Sequence, residues 1–485
     1  MKLSKVLSNV DTKGEYADIE IEGLYHNSKE VEEGGLFFAI DGTKVSGREF
    51  ALEAVKRGAK VIISSSKIEG LPSEVINLVS EDTRLAMSLC ASNFYEEPSR
   101  DMFVLGVTGT NGKTTTTFML ESVFKEAGNK VGVIGTNGVF IDGKKIDSNL
   151  TTPDPIYLQK TLAKMREEGV DVVAMEVSAH ALELKKTRGV MTDIALFTNL
   201  TQDHLDFFSN MQSYGEAKAK LFEEGMSRFG VVNIDDSFGR YLQNAASVPI
   251  LTYSQKKESG ADIIADKVRH NTTNQTFDVI TPKGRIKITL NLCGGFNISN
   301  ALGVIAAALM SGIELGAIKK GLEKLEMVEG RFNTYDVNGV RVVIDYAHTP
   351  DGLMNILSAT REITSGKLIS VFGCGGNRDR GKRPIMGEIS EKLADYTIVT
   401  SDNPRFEKPE DIANDILEGM KTSSHLVSLD RKKAIKLAVA MANEGDSVVI
   451  AGKGAEPYLD MLGVKTPYED KKVVEEILEE IKNKE

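Results

Sequence analysis

Met102-Phe-Val-Leu-Gly-Val-Thr108, Gly109-Thr-Asn-Gly-Lys113 and Thr114-Thr-Thr-Thr-Phe118 follow one another in the chain and decide the fold of its central part. This order predicts an apolar strand that runs into a glycine-rich loop and then into a helix. Glycines allow the tight turn in which backbone N–H groups point at phosphate oxygens, and the helix adds its positive N-terminal end. Lys113 supplies a cation for the outer phosphates, and the Thr114 hydroxyl can hold Mg²⁺. The stretch therefore predicts a nucleotide phosphate site.

The composition sets the broad class of the protein. The chain has 485 residues, enough for about three domains, and its hydrophobic fraction of 41% suffices for packed cores. A formal charge of -11 argues against nucleic acid as a partner. The three cysteines, Cys90, Cys293 and Cys374, are widely spaced, which predicts no disulfide or zinc site and fits a reducing cytoplasm. No apolar run of about eighteen residues exists, so we expect no membrane span and no signal peptide.

Polar segments divide the chain into three α/β units. Residues 1–97 predict a small mixed α/β domain that ends near a proline-containing polar segment. Residues 98–328 alternate strands and helices, as in a P-loop ATPase domain with a parallel sheet, and 250–292 predict antiparallel strands. Residues 329–485 predict a second, Rossmann-like α/β domain that ends in an amphipathic helix from Asp470.

Two further polar groups are predicted at the same sheet edge as the phosphate loop. Glu176 ends one apolar strand, and His204 follows another within Asp203-His-Leu-Asp206. Ligands of doubly wound sheets bind beyond the carboxyl ends of the strands, where the phosphate loop also begins. Oxygen ligands suit Mg²⁺, and an imidazole ligand is less usual. A single histidine after a strand is more often a hydrogen-bonded structural residue. Together with the loop, Glu176 and His204 predict Mg²⁺ beside a nucleotide.

These motifs resemble those of the Mur ligase family. Three more segments complete the resemblance in order and spacing over essentially the whole chain: Phe296-Asn-Ile-Ser-Asn300, Glu329-Gly-Arg331 and Asp345-Tyr-Ala-His-Thr-Pro350. The resemblance implies a cytoplasmic, monomeric, ATP- and Mg²⁺-dependent ligase of peptidoglycan synthesis. The segments 345–350 and 373–383 are similar to those of members that add the third stem-peptide residue to UDP-N-acetylmuramoyl-L-Ala-D-Glu.

The resemblance also implies a role for individual residues. The ATP-binding set is Gly109, Thr110, Asn111, Gly112, Lys113, Thr114, Thr115, Asn297, Asn300, Arg331 and Asp345. The set for the UDP-sugar dipeptide is Ser28, Thr151, Thr152, Ser178 and Lys186. The metal set is Thr114, Glu176, His204 and Lys218, and the catalytic set is Lys113, Glu176, His204 and Lys218. In this family the lysine at the position of Lys218 is carbamylated, which makes it a carboxylate-like ligand.

The chain departs from the family pattern at three places. Ser178-Ala-His180 stands where the family has Ser-Ser-His, and Lys186 replaces an arginine. Lys186 can pair with a substrate carboxylate but without bidentate geometry, and Arg188 is a nearby alternative. Gly452-Lys-Gly-Ala-Glu456 lacks the histidine that the family has in this motif, so no role for it carries over.

Strand-end turns of the last domain predict a pocket for the incoming amino acid. The candidate residues are Arg378, Asp402, Asn403, Pro404, Arg405, Gly452 and Glu456. Two arginines and a carboxylate suit a ligand end with both a carboxylate and an ammonium, because arginine binds carboxylate through two parallel hydrogen bonds. Meso-diaminopimelate has such an end, and lysine lacks the distal carboxylate. Asp402 to Arg405 could instead be only a turn, since Asn-Pro favours one.

Three alternatives stay open at this stage. A lysine-adding enzyme of the same type needs only a different pocket. A folylpolyglutamate synthetase shares the fold and the ATP chemistry but lacks a uridine-binding first domain, whereas here about 97 residues precede the phosphate loop. A nucleotide-binding protein without ligase activity would not need substrate-type clusters in three separate domains.

Overall fold

The computed structural model describes residues 1–42, 45–146 and 150–483. Three sheets, of four, eleven and six strands, follow one another along the chain, and a two-stranded hairpin lies near its end. Each large sheet is covered by helices, so the α/β fold class is confirmed. Among the described residues, none of the helices combines the length and apolarity that crossing a membrane demands.

The N-terminal sheet is small and wholly parallel, with the order β1-β2-β3-β4. Its strands are β1 Gly23–Tyr25, β2 Gly35–Ala39, β3 Ala59–Ser64 and β4 Ile76–Val79. Its helices are α1 Leu3–Val6, α2 Ala51–Lys56 and α3 Thr83–Phe94. Every residue of β2 is buried, because apolar clusters cover both faces of this sheet.

The central sheet places the phosphate loop in its middle. Its order is β15-β14-β13-β12-β11-β10-β5-β9-β6-β7-β8, so β5 lies between β9 and β10. The strands are β5 Phe103–Thr108, β6 Val131–Gly135, β7 Gly138–Ile141, β8 Lys144–Lys145, β9 Val172–Glu176, β10 Thr192–Phe197, β11 Ser227–Asn233, β12 Ile250–Ser254, β13 Ile263–His270, β14 Gln275–Thr281 and β15 Gly284–Leu290. The helices are α4 Lys113–Glu126, α5 Pro155–Glu167, α6 Ala179–Glu183, α7 Met211–Ala219, α8 Ser237–Ala245, α9 Gly295–Met310 and α10 Leu315–Lys324.

The prediction of antiparallel strands over 250–292 was wrong for the first of them. Strand β12 pairs in parallel with β11 and with β13. Within residues 250–292, the antiparallel pairs are β13 with β14 and β14 with β15. The reason is the connection, since helix α8 carries the chain back across the sheet before β12 begins.

The C-terminal sheet has the order β16-β17-β21-β18-β19-β20, parallel except for its edge strand β16. Its strands are β16 Asn333–Val337, β17 Val340–Asp345, β18 Leu368–Phe372, β19 Tyr396–Val399, β20 His425–Val427 and β21 Ser447–Ala451, and the hairpin is β22 Tyr458–Met461 and β23 Val464–Pro467. The helices are α11 Pro350–Glu362, α12 Lys382–Leu393, α13 Pro409–Leu417, α14 Arg431–Met441 and α15 Asp470–Lys482. Helix α15 buries Val473, Val474 and Ile477, as its apolar face predicted.

Candidate active site

The glycine-rich loop joins the buried strand β5 to helix α4 in the middle of the central sheet. Gly109 has a φ of +150° and Gly112 a φ of +87°, and side chains disfavour both. Gly112 also has no space for one, because a Cβ there would lie 2.5 Å from Oδ1 of Asn300. Helix α4 begins at the next residue, Lys113, so its first N–H groups open onto the loop. The loop has the geometry of a phosphate cradle.

The ammonium of Lys113 lies folded onto this loop. Its Nζ donates hydrogen bonds to the carbonyl oxygens of Gly109 at 2.9 Å and Thr110 at 2.8 Å. Desolvation lowers the pKa of Lys113, and the charges of Glu176 and Asp203 oppose that shift. Phosphate oxygens are stronger partners for an ammonium than carbonyl oxygens, so a nucleotide on the loop would displace these two contacts.

Thr114 and Glu176 form the polar centre of the site. The Thr114 hydroxyl donates to Oε1 of Glu176 at 2.8 Å. The backbone N–H of Thr136 donates to the same oxygen at 2.8 Å, and its hydroxyl lies 3.1 Å from Oε2. Arg331, from beyond the central sheet, donates through Nη2 to the Thr114 hydroxyl at 2.8 Å. A hydroxyl and a buried carboxylate at the mouth of a phosphate loop are oxygen ligands of the kind that Mg²⁺ prefers.

His204 lies in the loop after β10, inside a cluster of rings. Its backbone has a φ of +57°, and its ring centroid lies 4.7 Å from that of His180 and 5.9 Å from that of Tyr214. Burial lowers the pKa of His204 to about 3, although the carboxylate of Asp203 opposes the shift. The imidazole is therefore neutral near pH 7, which is the form that can bind a metal ion.

Lys218 lies on helix α7 and is almost completely buried, with 1% of its surface exposed. Its Nζ lies 4.2 Å from the centroid of the Tyr214 ring. Burial holds the pKa of Lys218 well below its usual value, and the nearby charge of Lys113 acts in the same direction. Lys220, two residues on, points elsewhere and pairs with Glu183 at 2.7 Å. Burial thus favours the neutral amine form of Lys218, whereas Lys220 is an ordinary cation at the surface.

Asn297 and Asn300 lie on the first turns of α9, against the phosphate loop. Asn300 donates to Oδ1 of Asn297 at 3.1 Å, and Asn297 donates to the carbonyl oxygen of Cys293 at 2.7 Å. Both side chains are buried, and Asn300 borders Gly112. The pair forms one wall of the cleft beside the loop.

Asp345 ends strand β17 and orders the backbone around Arg331. Its two oxygens accept hydrogen bonds from the N–H groups of Phe332 and Ala347, each at 2.8 Å. Burial raises the pKa of this carboxyl group, and the charge of Arg331 opposes the shift. The Arg331 guanidinium lies 4.4 Å from the centroid of the Tyr346 ring. Asp345 therefore fixes the loop from which Arg331 reaches Thr114.

The loop that carries His204 contacts the C-terminal domain directly. Asp203 lies 3.4 Å from Nζ of Lys382 and 3.7 Å from Nε2 of His348. Gln202 donates to Asp379 at 3.1 Å. These contacts join the loop after β10 to the residues before α11 and to the start of α12, and so connect the central and C-terminal domains.

The phosphate loop is tied to the same domain. The side chain of Asn111 donates to Oδ2 of Asp351 at 2.8 Å, at the start of α11. Thr110 of the loop and Thr115 on the first turn of α4, which also belong to the predicted ATP set, are both buried. The phosphate loop is thus connected to the C-terminal domain as well.

The turns after β19 and β21 form a connected polar cluster. Asn403 donates to Oε2 of Glu456 at 2.7 Å, and Nζ of Lys453 donates to Oδ1 of Asn403 at 3.1 Å. Lys453 also pairs with Glu456. Gly452 has a φ of +121°, and a Cβ there would lie 2.6 Å from Oδ2 of Asp402. The structure therefore brings Asp402, Asn403, Gly452 and Glu456 together.

The two predicted arginines flank one glycine beside this cluster. Arg405 has a φ of +50° and donates to the carbonyl oxygen of Gly376 at 2.8 Å. A Cβ on Gly375 would lie 2.8 Å from Nη1 of Arg405 and 3.7 Å from Cγ of Arg378. Arg378 reaches across the cleft to Asp206 at 3.7 Å, two residues from His204. Pro404, between Asn403 and Arg405, is buried and forms the turn that directs Arg405.

The residues predicted for the UDP-sugar dipeptide lie in two places. Thr152 and Ser178 contact each other beside Glu176, since the N–H of Ser178 donates to the Thr152 hydroxyl at 3.1 Å. Thr151 lies 3.0 Å from the hydroxyl of Thr136.

Lys186 lies on the side of the N-terminal domain, where it pairs with Asp154 at 2.7 Å. His26 of that domain lies 3.8 Å from the same carboxylate. Ser28 is buried nearby and donates to Glu53 at 2.7 Å. Arg188, the alternative to Lys186, pairs with Glu223 at 2.9 Å instead.

Several residues of the cleft escaped sequence reasoning. Thr136 follows a short strand with no motif around it, and His348 and Lys382 lay inside motifs that were assigned only as a whole. Lys453 stands in Gly452-Lys-Gly-Ala-Glu456, a motif in which the family has a histidine and this chain has Ala455. A lysine between two glycines after a buried strand was the signal that could have revealed it.

Comparisons with known proteins place these features in one family. The model of the Mur ligase middle domain matches residues 107–308, and that of the Mur ligase glutamate ligase domain matches residues 330–454. The model described as Mur ligase family, catalytic domain matches residues 20–95. The chain therefore belongs to the Mur ligase family, and its three-domain plan is that of the family.

Individual relatives resemble the chain over its whole length. It is 43% identical over 487 residues to the UDP-N-acetylmuramoyl-L-alanyl-D-glutamate--2,6-diaminopimelate ligase 1 of Clostridium acetobutylicum, covering 99% of this chain and 100% of that one. A solved structure of a ligase with the same substrate name is 31% identical, covers 99% of both chains and superposes with a TM-score of 0.70. A folylpolyglutamate synthase from Mycobacterium tuberculosis, 17% identical with a TM-score of 0.65, covers 76% of this chain and shares the fold alone.

Proposed function

We propose that the protein is an ATP-dependent ligase that joins meso-2,6-diaminopimelate to UDP-N-acetylmuramoyl-L-Ala-D-Glu, giving ADP and phosphate. One observation carries the proposal: the loop that carries His204 contacts both the phosphate loop, at Thr110, and the two-arginine pocket. Arg378 of that pocket pairs at 3.7 Å with Asp206, in the loop of His204. An acyl phosphate formed at the loop would thus lie close to an amine held in the pocket. The whole-length similarity to diaminopimelate ligases supports the same reaction.

Each domain is assigned one substrate. Residues 1–97 would bind the UDP-sugar, residues 98–328 ATP, and residues 329–485 the amino acid. The family models match segments inside each of these ranges, which supports the division. The family resemblance further implies that Asn297 and Asn300 contact adenine, and that Arg331 and Asp345 contact the ribose and phosphates of ATP. The position of Asn300 beside Gly112 and the hydrogen bond from Arg331 to Thr114 support a place beside the nucleotide.

The donor chemistry of the site fits Mg²⁺ at one position. In the described part of the chain no three His, Cys, Asp or Glu side chains gather into a ready metal site. Thr114 and Glu176 nevertheless offer two oxygens at the loop, and ATP phosphates would supply more. Bound there, Mg²⁺ would offset the charge of the phosphates.

A second cation would be held by His204 and Lys218 only if Lys218 is carbamylated. Carbamylation needs a neutral amine that attacks CO₂, and burial holds the pKa of Lys218 well below its usual value. The modification turns this amine into an oxygen ligand, and its negative charge would attract the nearby Lys113. We therefore infer that Lys218 is carbamylated in the active protein.

The reaction then needs positioning more than covalent protein chemistry. The γ-carboxylate of D-glutamate attacks the γ-phosphorus of ATP, ADP leaves, and an acyl phosphate forms. The amine of diaminopimelate loses a proton and attacks the acyl carbon, an amide forms, and phosphate leaves with the former carboxylate oxygen. Lys113 offsets charge as the phosphoryl group moves. Closure of the cleft by Asp203 and its partners holds the reactants together and excludes water.

Diaminopimelate is preferred to lysine because of the pocket's charges. Arg405 and Arg378 flank Gly375, where a distal carboxylate could be bound, and Glu456 with Asp402 could receive the distal ammonium. Lysine would leave the two guanidinium groups without a carboxylate partner.

Phosphate release by the purified protein tests this proposal. We expect release with ATP, Mg²⁺, the UDP-sugar dipeptide and meso-diaminopimelate together, and little when L-lysine replaces diaminopimelate. Mass spectrometry should find the dipeptide extended by one diaminopimelate residue. Equal release with lysine would overturn the specificity, and release independent of the UDP-sugar would overturn the ligase assignment.

A further inference from the structure

A buried ion pair joins the last two long helices of the chain. Arg431 is the first residue of α14 and Asp470 the first of α15, and neither side chain is exposed to solvent. The guanidinium donates two parallel hydrogen bonds, from Nε to Oδ1 at 2.8 Å and from Nη2 to Oδ2 at 2.7 Å. The hydroxyl of Tyr468 donates to Oδ1 of Asp470 at 3.1 Å. The carboxylate thus fixes the guanidinium in one orientation.

The remaining donors of Arg431 point at two strand ends. Nη1 donates to the carbonyl oxygen of Ser401 at 3.3 Å, and Nη2 to that of Ala451 at 3.1 Å. Ser401 follows β19 and Ala451 ends β21, so the next residues in the chain are Asp402 and Gly452. These two residues are predicted to bind the amino acid. One guanidinium therefore links the two strand ends from which the proposed pocket begins.

The same guanidinium acts on the charge of the pocket. Asp402 is buried, and burial by itself raises the pKa of its carboxyl group. The charges of Lys453 and Arg431, together with the N–H of Asn403 and the charge of His348, outweigh burial and hold that pKa below its ordinary value. Asp402 is consequently an ionised carboxylate, which lies 3.9 Å from Nζ of Lys453 at the strand ends where the pocket begins.

We propose that Arg431, oriented by Asp470, is a positioning residue for the amino-acid subsite, through which helix α15 sets the affinity for a ligand that carries both carboxylate and ammonium groups. The inference rests on the proposed function, since it takes the pocket at Asp402, Arg405 and Glu456 to be the amino-acid site. Helix α15 lies beyond residues 330–454, which the family's C-terminal domain model matches, so neither the proposed function nor that match assigns it a role.

The rival explanation is that the ion pair only stabilises the domain. Removing one partner leaves a buried charge unpaired, whereas replacing both with apolar side chains of similar size is often neutral or stabilising. The double variant Arg431→Met/Asp470→Leu therefore separates the two roles: it preserves apolar packing between α14 and α15 but removes the donors to Ser401 and Ala451.

A matched control exists on the same two helices. Lys432 and Glu476 form an ion pair of 2.6 Å between α14 and α15, with side chains 46% and 43% exposed. The variant Lys432→Met/Glu476→Leu makes the same chemical change at the surface and reaches neither strand end. Tyr468→Phe is a milder probe, because it removes only the hydroxyl that contacts Asp470.

The experiment measures the KM of the full-length protein for diaminopimelate, ATP and the UDP-sugar dipeptide, together with thermal unfolding. For the Arg431→Met/Asp470→Leu variant we expect the KM for diaminopimelate to rise about tenfold or more, the effect of losing one hydrogen bond to a charged group. The KM for ATP should stay within about twofold, because a contact in the amino-acid pocket is not part of the ATP site. The control should match the wild type, and Tyr468→Phe should raise only the KM for diaminopimelate, by a smaller factor.

Two results would overturn the inference. A double variant with the wild-type KM for diaminopimelate would make the ion pair purely structural, and so would an equal rise in all three KM values. If the double variant does not fold, Tyr468→Phe decides by the same criterion. Arg405→Ala tests the assignment of the pocket itself. If this variant leaves the KM for diaminopimelate unchanged, the pocket is misassigned and the inference about Arg431 is wrong as well.

Discussion

At the scale of single residues, Lys218 and Lys220 lie in the same stretch of chain but in opposite environments. Lys218 is buried against Tyr214, while Lys220 pairs with Glu183 at the surface. We expect Lys218→Ala to lower kcat about 100-fold, since ligands and their immediate supports have effects of that order. Lys220→Ala is the matched control and should retain activity. Steady-state phosphate release measures both.

Carbamylation of Lys218 can be measured directly by NMR. Protein equilibrated with ¹³C-bicarbonate should show one carbamate carbon by NMR, and the signal should disappear in Lys218→Ala and persist in Lys220→Ala. A signal that survives in Lys218→Ala would assign the carbamate elsewhere. Full activity of Lys218→Ala would remove Lys218 from the site altogether.

The pocket arginines make a second prediction at this scale. Arg405→Ala should raise the KM for diaminopimelate by about thirtyfold, because a lost hydrogen bond between charged groups costs about 2 kcal/mol. The KM for ATP should not change. Arg380→Ala is the control, since Arg380 is exposed, lies in the turn before α12 and pairs with Asp415 at 3.0 Å. An unchanged KM for diaminopimelate in Arg405→Ala would contradict the assignment of the pocket.

Functional residues could be predicted from the sequence where a motif combines reactive side chains with the glycines that its backbone conformation requires. The phosphate loop was predictable because its glycines, lysine and threonine are needed together, between a strand and a helix. Thr136 and Lys453 were missed because their roles come from tertiary neighbours, Glu176 in one case and Asn403 in the other. The place of Lys218 in the site came from family resemblance, since its burial cannot be read from helical spacing alone.

At the scale of elements, Arg383 links α12 to helix α13 and to the turn before it. Its buried guanidinium pairs with Glu407 at 2.9 Å and Asp415 at 2.7 Å. Hydrogen bonds from Arg383 to Glu407, and from Arg380 and Arg383 to Asp415, lower the pKa of both carboxyl groups. Both pKa values are depressed in the folded protein, so this stability is fully present above the unfolded values and is lost as pH falls through the folded ones.

Arg383→Met should therefore destabilise the C-terminal domain by about 3 kcal/mol at pH 7. Below about pH 4 the difference from the wild type should shrink, because both carboxylates then become protonated. Thermal unfolding of the two proteins between pH 3 and 7 measures it, and Arg361→Met, at the exposed pair with Asp395, is the control. A difference independent of pH would show that packing, not charge, explains the effect.

The positions of strands in the sequence were easier to predict than the direction in which they pair with neighbouring strands. Apolar runs located β5, β9 and β10, since strands covered on both faces are nearly continuously apolar. The direction of β12 was mispredicted because alternation indicates a half-exposed strand and says nothing about whether a helix or a hairpin precedes it. Strand β6 was also predicted, but its partner β7 and the hairpin β22–β23 are too short to give a clear periodic signal.

At the scale of the whole molecule, the contacts around Asp203 hold the central and C-terminal domains together. We expect Lys382→Met to lower kcat about tenfold, because the buried carboxylate loses a charged partner across the cleft. With an ATP analogue and the UDP-sugar dipeptide bound, small-angle scattering should report a larger radius of gyration than for the wild type. Lys392→Met, at an exposed position of the same helix, should resemble the wild type. A normal radius with normal kcat would exclude a role in closure.

The three-domain plan was predictable because motifs lay in order along the whole chain, each in its own α/β unit. The contacts between the units were not, because Asp203–Lys382 and Asn111–Asp351 join residues far apart in sequence. Such pairs depend on the relative orientation of whole domains, and a single sequence carries no signal for that orientation.

The central claim is that the substrate carboxylate takes the γ-phosphoryl group of ATP, and that the incoming amine then attacks the acyl carbon and releases phosphate with one former carboxylate oxygen. The measurement that tests it most directly uses the UDP-sugar dipeptide labelled with ¹⁸O in the γ-carboxylate of D-glutamate. With ATP and meso-diaminopimelate, mass spectrometry should find one ¹⁸O atom in the released phosphate. Phosphate without ¹⁸O would contradict the claim, because ATP would then have been hydrolysed by water and not through an acyl phosphate.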